Sequence, residues 1–309
     1  MTLVPFDDRD GVIWLDGAFA PWREARLHVL SHGLHYGGGV FEGVRVYGGR
    51  LFKSAEHALR LHASAQELNF RIPFTAAELD AAARETVRRQ GISDGYVRPV
   101  AWRGSEQISV SGTGARVHVA IAAWEWPHVF SAASQDQGIR LKTSRWRRPS
   151  PDTAPVRAKA ASLYNIGTLA RDEAEAAGYD DALLLDFRGY VAEATGANLF
   201  LVVDGALHTP IADTFLNGIT RQTVIALARE SGIAVHERRI QPEELARADE
   251  VFLTGTAYEV QPVRAVDDRP YGVGRTTTAL ADAYRRLVRA ADPLPSADRV
   301  GADAPDGRR

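Results

Sequence analysis

The apolar run Val12-Ile13-Trp14-Leu15 stops at Asp16-Gly17, a pair that accepts the positive φ angles of a tight hairpin, so the chain opens on a strand and a turn. Residues 40–47 read as another strand, running into Gly48-Gly49 before Arg50-Leu51-Phe52. Apolar positions then recur at helical spacing over about 54–69 and 76–90. Thr75-x-x-Glu78 opens the second of these helices as a capping box, and Gly91 supplies the left-handed residue that ends it. The period returns to two at 96–103 and 116–124, where Val117, Val119 and Ile121 alternate with His118 and Ala120. Hairpins with helices beside them predict an α+β N-terminal domain over 1–128.

Residues 129–138 are small and polar with no period, and read as an interdomain linker. Beyond it the pattern predicts a strand at 139–144, an Arg/Pro-rich loop to 158, and a helix over 162–177 closed by Gly178. Strands follow at 181–187, 190–193 and 198–203, with turns at Arg188-Gly189 and Asp204-Gly205. A helix over 221–230 has Thr220 as its N-cap and Gly232 past its end, and a last helix covers 276–291. The larger domain is thus 139–291, and 292–309, rich in Pro, Asp, Ala and Arg, reads as a loose tail.

Composition narrows the chemistry. A net charge of −2 over 309 residues, with 45% hydrophobic and 25% charged residues, describes a folded protein without a nucleic-acid surface. No run of 18 apolar residues exists and the N-terminal residues lack a basic leader or apolar signal core, which predicts a cytoplasmic protein that does not use a membrane. The absence of cysteine removes disulfides, thiolate nucleophiles and cysteine metal sites together. Of the 37 basic residues only Lys53, Lys142 and Lys159 are lysines, so chemistry that needs an amine has three candidates. Lys53 and Lys142 sit in strand contexts that read as solvated. Lys159 lies in Ala158-Lys159-Ala160-Ala161, where small neighbours leave room for a flat ring.

Two segments place a glycine beside a hydroxyl residue: Leu216-Asn217-Gly218-Ile219-Thr220-Arg221 at a helix start, and Thr254-Gly255-Thr256-Ala257 after an apolar strand. Outward N–H groups and the positive end of the helix dipole suit an anion there, although an ordinary capped helix gives the same pattern. Tyr36-Gly37-Gly38-Gly39 lacks the Gly-Lys-Ser/Thr and the strand-to-helix context of a phosphate loop, and reads as a tight turn. Crowded histidines at 28, 32, 35, 57 and 62 have no metal-ligand spacing, and no metal is expected.

Glu193-x-Thr195-x-x-Asn198-Leu199-Phe200, Leu207-x-Thr209 and Leu216-x-Gly218-Ile219-x-Arg221 together resemble the signature of the class IV pyridoxal-phosphate aminotransferases. Ser31-His32-Gly33-Leu34-His35-Tyr36-Gly37, Val40-Phe41-Glu42-Gly43-Val44-Arg45, Glu56-His57-x-x-Arg60-Leu61 and Tyr96-x-Arg98-Pro99 resemble the branched-chain amino acid subgroup, over roughly 11–290. The resemblance implies fold type IV: an α+β N-terminal domain plus an α/β C-terminal domain with a pseudo-barrel. It implies pyridoxal 5'-phosphate as cofactor, with Lys159 bonded to its aldehyde carbon and acting as the acid/base. By the same resemblance Glu193 faces the pyridine nitrogen, Tyr164 the phenolic oxygen, and Arg60 with Gly218, Ile219, Thr220 and Thr256 the phosphate. Thr256 and Ala257 would take the α-carboxylate and Arg98 a distal carboxylate. Phe41, Gly43, Tyr96 and Trp126 would wall the side-chain pocket, with Tyr36 and Val110 from the partner in a homodimer or larger assembly.

The activity so implied is ping-pong transfer of an amino group between a branched-chain or other apolar L-amino acid and 2-oxoglutarate. Ser105 to Gly112, Trp102-Arg103, Val129 and Asn217 depart from the family pattern, and all touch the substrate side. D-amino acid or (R)-amine transamination, aminodeoxychorismate lyase activity and a pathway-specific aminotransferase therefore stay open, because one fold hosts several reactions. A nucleotide-binding module built on the 37–39 glycines is the competing non-enzymatic reading.

Overall fold

A computed structural model describes residues 4–126 and 130–290. The first half builds a seven-stranded antiparallel sheet from β1 (Val12–Leu15), β2 (Ala18–Pro21), β3 (Gly39–Phe41), β4 (Val44–Tyr47), β5 (Arg50–Leu51), β6 (Gly95–Arg103) and β7 (Val117–Glu125). Spatial order is β2-β1-β7-β6-β4-β5, with β3 also on β6. The first turn has positive φ at both Asp16 and Gly17, as a two-residue hairpin requires. A short α1 (His32–Tyr36) precedes β3, while α2 (Ser54–Glu67) and α3 (Ala76–Gln90) pack Leu61, Ala65, Leu79 and Val87 on Val46, Val97 and Ile121 of the sheet. Thr75 and Glu78 form the reciprocal capping box, and Gly91 ends α3 at φ 63°.

The second half builds a mixed sheet from β8 (Ile139–Arg148), β9 (Asp181–Asp186), β10 (Val191–Ala194), β11 (Asn198–Val203), β12 (Ala206–Pro210), β13 (Val235–Arg238), β14 (Glu250–Gly255), β15 (Glu259–Val266) and β16 (Arg269–Pro270). The order is β10-β9-β8-β15-β14-β11-β12-β13, with β16 on β15. A further pairing of β10 with β11, Glu193 opposite Asn198, closes six of these strands into a ring, which is the barrel of fold type IV. Period-two alternation along β11 sends Leu199 and Leu201 to one core with Leu183 and Leu253, and Phe200 and Val202 to another with Phe252. The second core is covered by α6 (Ile219–Glu230) and α7 (Arg275–Arg289); α4 (Ala132–Gln137) and α5 (Ala161–Ala176) complete the half.

Several boundaries differ from the sequence pattern, each for a physical reason. The expected strand over 40–47 breaks at Glu42-Gly43, where the Glu42 carboxylate turns inward to an arginine and a histidine. The first long helix ends at Glu67 rather than 69, because Asn69 has φ 55°. Within the expected linker, 132–137 form a helix that Ser131 caps and Gln261 binds through Ser134 O; Val129 itself lies outside the described residues. The strand expected to stop at 144 continues to Arg148 by pairing with Leu185 and Asp186. Gly218, not Thr220, is the N-cap of α6, so the helix starts two residues earlier than expected. The last helix spans 275–289, and both the tail from 292 and Met1 to Leu3 lie outside the described residues. No helix among the described residues is long and apolar enough to cross a membrane.

Candidate active site

A cleft beside the β10–β11 closure gathers Arg60, Arg148, Lys159, Tyr164, Glu193, Asn198, Gly218, Ile219, Thr220, Thr254 and Thr256. Of the three lysines, only Lys159 lines it. A backbone bridge, Val40 to Ala160, and the Phe41 N–H donated to Lys159 O at 3.1 Å tie this segment to β3. The Lys159 N–H is donated to Ser64 Oγ at 2.9 Å, from α2. Lys159 Nζ lies 2.6 Å from Tyr164 Oη, and both sit against the Phe41 ring. The Lys159 backbone is therefore held by β3 and α2 and its amine by Tyr164, with the side chain lining the cleft. Lys53 bends toward Glu56 and Lys142 toward the Tyr179 ring, away from it.

Glu193 is buried, and burial pushes its carboxyl up to about 7 against the lowering effects of Arg148 and Lys159. Asn198, opposite it across the ring closure, donates Nδ2 to Glu193 Oε2 at 3.2 Å and to Leu216 O at 3.0 Å, and its Oδ1 accepts the Gly218 N–H at 3.1 Å. One amide thus fixes the carboxylate and the start of α6 together. Arg148 Nε stands 3.3 Å from Glu193 Oε1 without a hydrogen-bond alignment. Neither role is visible in the sequence pattern: Arg148 falls in an Arg-rich stretch that reads as a loop, and Asn198 is one letter of a motif.

Anion-binding capacity gathers at the α6 end. Its N-cap makes no side-chain hydrogen bond, so the first-turn N–H groups have no partner from a cap. Arg60 uses Nε and Nη2 on Glu42, at 2.6 and 2.9 Å, while its buried Nη1 has no partner among the described residues. Thr254 Oγ1 is likewise buried and unpartnered, one residue before Gly255-Thr256. The helix dipole adds a positive field to this corner.

The substrate-side residues divide. Phe41 packs on Tyr164, the Arg98 guanidinium lies 4.8 Å from the Phe41 ring, and Tyr96 meets Trp126 edge to face at 4.5 Å. A methyl at Gly43 would sit on the Tyr96 hydroxyl, so that position has room only for hydrogen. Arg98 makes no ion pair among the described residues, and its Nε is buried without a partner. Ala257 lines a neighbouring cavity with Tyr258 and Tyr284 instead of the cleft that Thr256 lines. Tyr36 is 45% and Val110 83% exposed, so within one chain neither reaches the cleft. Of the other departures, Trp102 stacks on His118, Arg103 caps the carbonyls of Leu68 and Asn69, and Asn217 binds Arg221.

A closed mixed barrel thus holds a lysine, a tyrosine and a buried acid in one cleft, beside a corner of donors suited to an anion. A sequence profile described as amino-transferase class IV matches residues 39–266. The branched-chain-amino-acid aminotransferase of Pseudomonas aeruginosa is 44% identical over 288 residues, 91% of this chain and 94% of that protein. A branched-chain aminotransferase from Thermoproteus uzoniensis, solved with norvaline, superposes with TM-score 0.87 at 41% identity, covering 91% of this chain and 95% of that one. An aminotransferase from Brucella abortus bound to PLP superposes with TM-score 0.82 at 31% identity, covering 91% and 100%. The chain belongs to the class IV aminotransferases.

Proposed function

We propose that the protein is a pyridoxal 5'-phosphate-dependent aminotransferase that moves an amino group between branched-chain L-amino acids and 2-oxoglutarate. The carrying observation is the Lys159, Tyr164 and Glu193 arrangement beside an anion corner with unpartnered donors. Those residues fit the cofactor part by part. Lys159 would bond its aldehyde carbon, Tyr164 its phenolic oxygen and Glu193 its ring nitrogen; Arg60, Ile219, Thr220 and Thr256 would hold the phosphate. When bound, the group supplies an electron sink for the carbon that loses its proton.

The chain's own residues do the rest. Lys159 Nζ carries the proton to and from the substrate α-carbon, and its 2.6 Å contact with Tyr164 sets where the amine points. Glu193, ionised beside a cationic ring nitrogen, holds that nitrogen protonated; Arg148 and Asn198 keep the carboxylate in place. Phe41, Tyr96 and Trp126 exclude water from an apolar side chain, and the unpaired Arg98 receives the second carboxylate of the five-carbon partner. Tyr36 and Val110 complete the wall from a second subunit of a homodimer, and 1–128 and 139–291 act as separate domains of a cytoplasmic enzyme.

The test uses the cofactor-loaded enzyme. Borohydride reduction and peptide mapping should place the pyridoxyl group on Lys159 alone, and L-leucine and L-glutamate should each discharge the bound cofactor's visible absorbance. An adduct on Lys53 or Lys142, or discharge by D-alanine or (R)-phenylethylamine with both L-amino acids inert, overturns the reading.

A further inference from the structure

The break between β3 and β4 puts a carboxylate where an antiparallel edge would otherwise carry a hydrophobe. Glu42 is fully buried, and every strong contact it makes points at one purpose. Arg60 Nε and Nη2 donate to its two oxygens at 2.6 and 2.9 Å, a fork-to-fork pair, and His57 Nδ1 lies 2.6 Å from Oε2. The Gly43 N–H adds a bond at 3.3 Å to Oε2. His57 and Arg60 sit three residues apart on α2, on one helix face, so a single carboxylate clamps two side chains of that face. What the clamp leaves over is Arg60 Nη1, buried, without a partner among the described residues, on a side chain that lines the cleft.

Charge supports the geometry. Burial alone would raise the Glu42 carboxyl, but the Arg60 charge and the His57 hydrogen bond outweigh it and hold it well below the usual carboxylate range. Burial lowers His57 below its ordinary value although Glu42 favours its charged form, so the imidazole is neutral at pH 7 and donates its Nδ1 proton. The three groups then sum to one anion and one cation. A buried pair of this kind contributes little net stability against apolar replacements, and its worth lies in fixing geometry.

We infer that Glu42, braced by His57, is a positioning residue that locks the Arg60 guanidinium edge-on so that Nη1 faces the cofactor's phosphate. This rests on the cofactor reading above. In the alternative, Glu42 serves only to fill and hold the fold around the start of β4. The two differ in which part of the ligand feels its loss: a lock on Arg60 acts through the phosphate, whereas a structural defect weakens everything the cleft binds.

The experiment compares the apoprotein's affinity for pyridoxal 5'-phosphate and for pyridoxal, which lacks the phosphate, in wild type and Glu42→Gln. Gln keeps the volume but removes the charge and one acceptor, freeing the guanidinium. Affinity for pyridoxal 5'-phosphate should fall at least about tenfold, in the range set by losing hydrogen bonds to a charged group, with affinity for pyridoxal changed less than about threefold. His57→Gln, whose amide can still donate to Glu42, should show a smaller loss of the same selectivity. Should Glu42→Gln not fold, Glu42→Asp is read in the same way, since it keeps the charge but withdraws it by one methylene. Equal losses for both ligands, no loss for either, or failure of both variants to fold overturn the inference. A wild-type apoprotein that binds neither ligand instead overturns the cofactor reading itself.

Discussion

At the scale of single residues, Glu193 joins stability to function. Its carboxyl titrates near 7 in the folded protein because burial outweighs the two nearby cations, against an ordinary value of 4.5. A folded value above the unfolded one means the folded state holds the proton more tightly. The stabilising contribution is therefore complete below about pH 4.5 and is lost as pH rises through 7. In the apoprotein, Glu193→Gln mimics the protonated acid, so the variant should gain on wild type between pH 5 and 8. The gain is on the order of 3 kcal/mol at most, since each tenfold difference in proton affinity between folded and unfolded chain is worth about 1.4 kcal/mol. Thermal melts of both apoproteins across that range check it; a gap that does not widen with pH removes the titration from Glu193. On the role proposed for Glu193 at the ring nitrogen, which a neutral amide cannot hold protonated, the loaded variant should also lose at least about tenfold in single-turnover rate.

Elements decide where those residues stand, and the start of α6 is the sharpest case. Gly218 caps it without a side-chain bond, and its N–H goes to Asn198, the amide that also holds Glu193. A Cβ at Gly218 would collide with Asn198 Oδ1 although the backbone there, at φ −63°, accepts any residue. Gly218→Ala should then disturb both ends of the cleft through one amide. Affinity for pyridoxal 5'-phosphate should fall about tenfold or more, roughly the loss of one charge-linked hydrogen bond, and affinity for pyridoxal should fall with it. Unchanged affinity for pyridoxal would separate Asn198 from Glu193. The same helix start marks how far local sequence carries. The Gly-x-Thr segment is legible as an anion site, yet its pattern places the cap two residues late, because Thr220 is the better intrinsic cap and tertiary bonding to Asn198 overrides it. Hairpins, the capping box and α3 are legible because they depend on neighbours in sequence. Glu42 and Arg148 are not, since their meaning comes from partners 18 and 45 residues away.

At the scale of the whole molecule, an apolar stretch near α1 is left uncovered within a single chain. Leu27, Val29, Leu30, Leu34 and Tyr36 stand 52%, 69%, 46%, 65% and 45% exposed in and just before α1, a run of uncovered apolar side chains close in sequence. Val110 and Ile108, on the loop that departs most from the family pattern, are also exposed. The short α1 is anchored from behind: the His32 N–H goes to Gly104 O and His32 packs on the Tyr36 ring, so the apolar side chains are held outward on a fixed support. Covering about half of each exposed apolar residue would contribute roughly 1 kcal/mol apiece at about 25 cal/mol per Å², which favours the proposed pairing of two copies. On the proposed homodimer, a charge at Leu34 should cost assembly without unfolding the chain, because Leu34 buries little in the monomer. Leu34→Arg should sediment as a monomer with unchanged circular dichroism, and on the proposed homodimer, in which Tyr36 and Val110 reach a neighbour's pocket, its kcat/KM for L-leucine should fall by more than tenfold. A monomeric variant with full activity would place both residues outside the substrate wall and leave the cleft of one chain complete by itself.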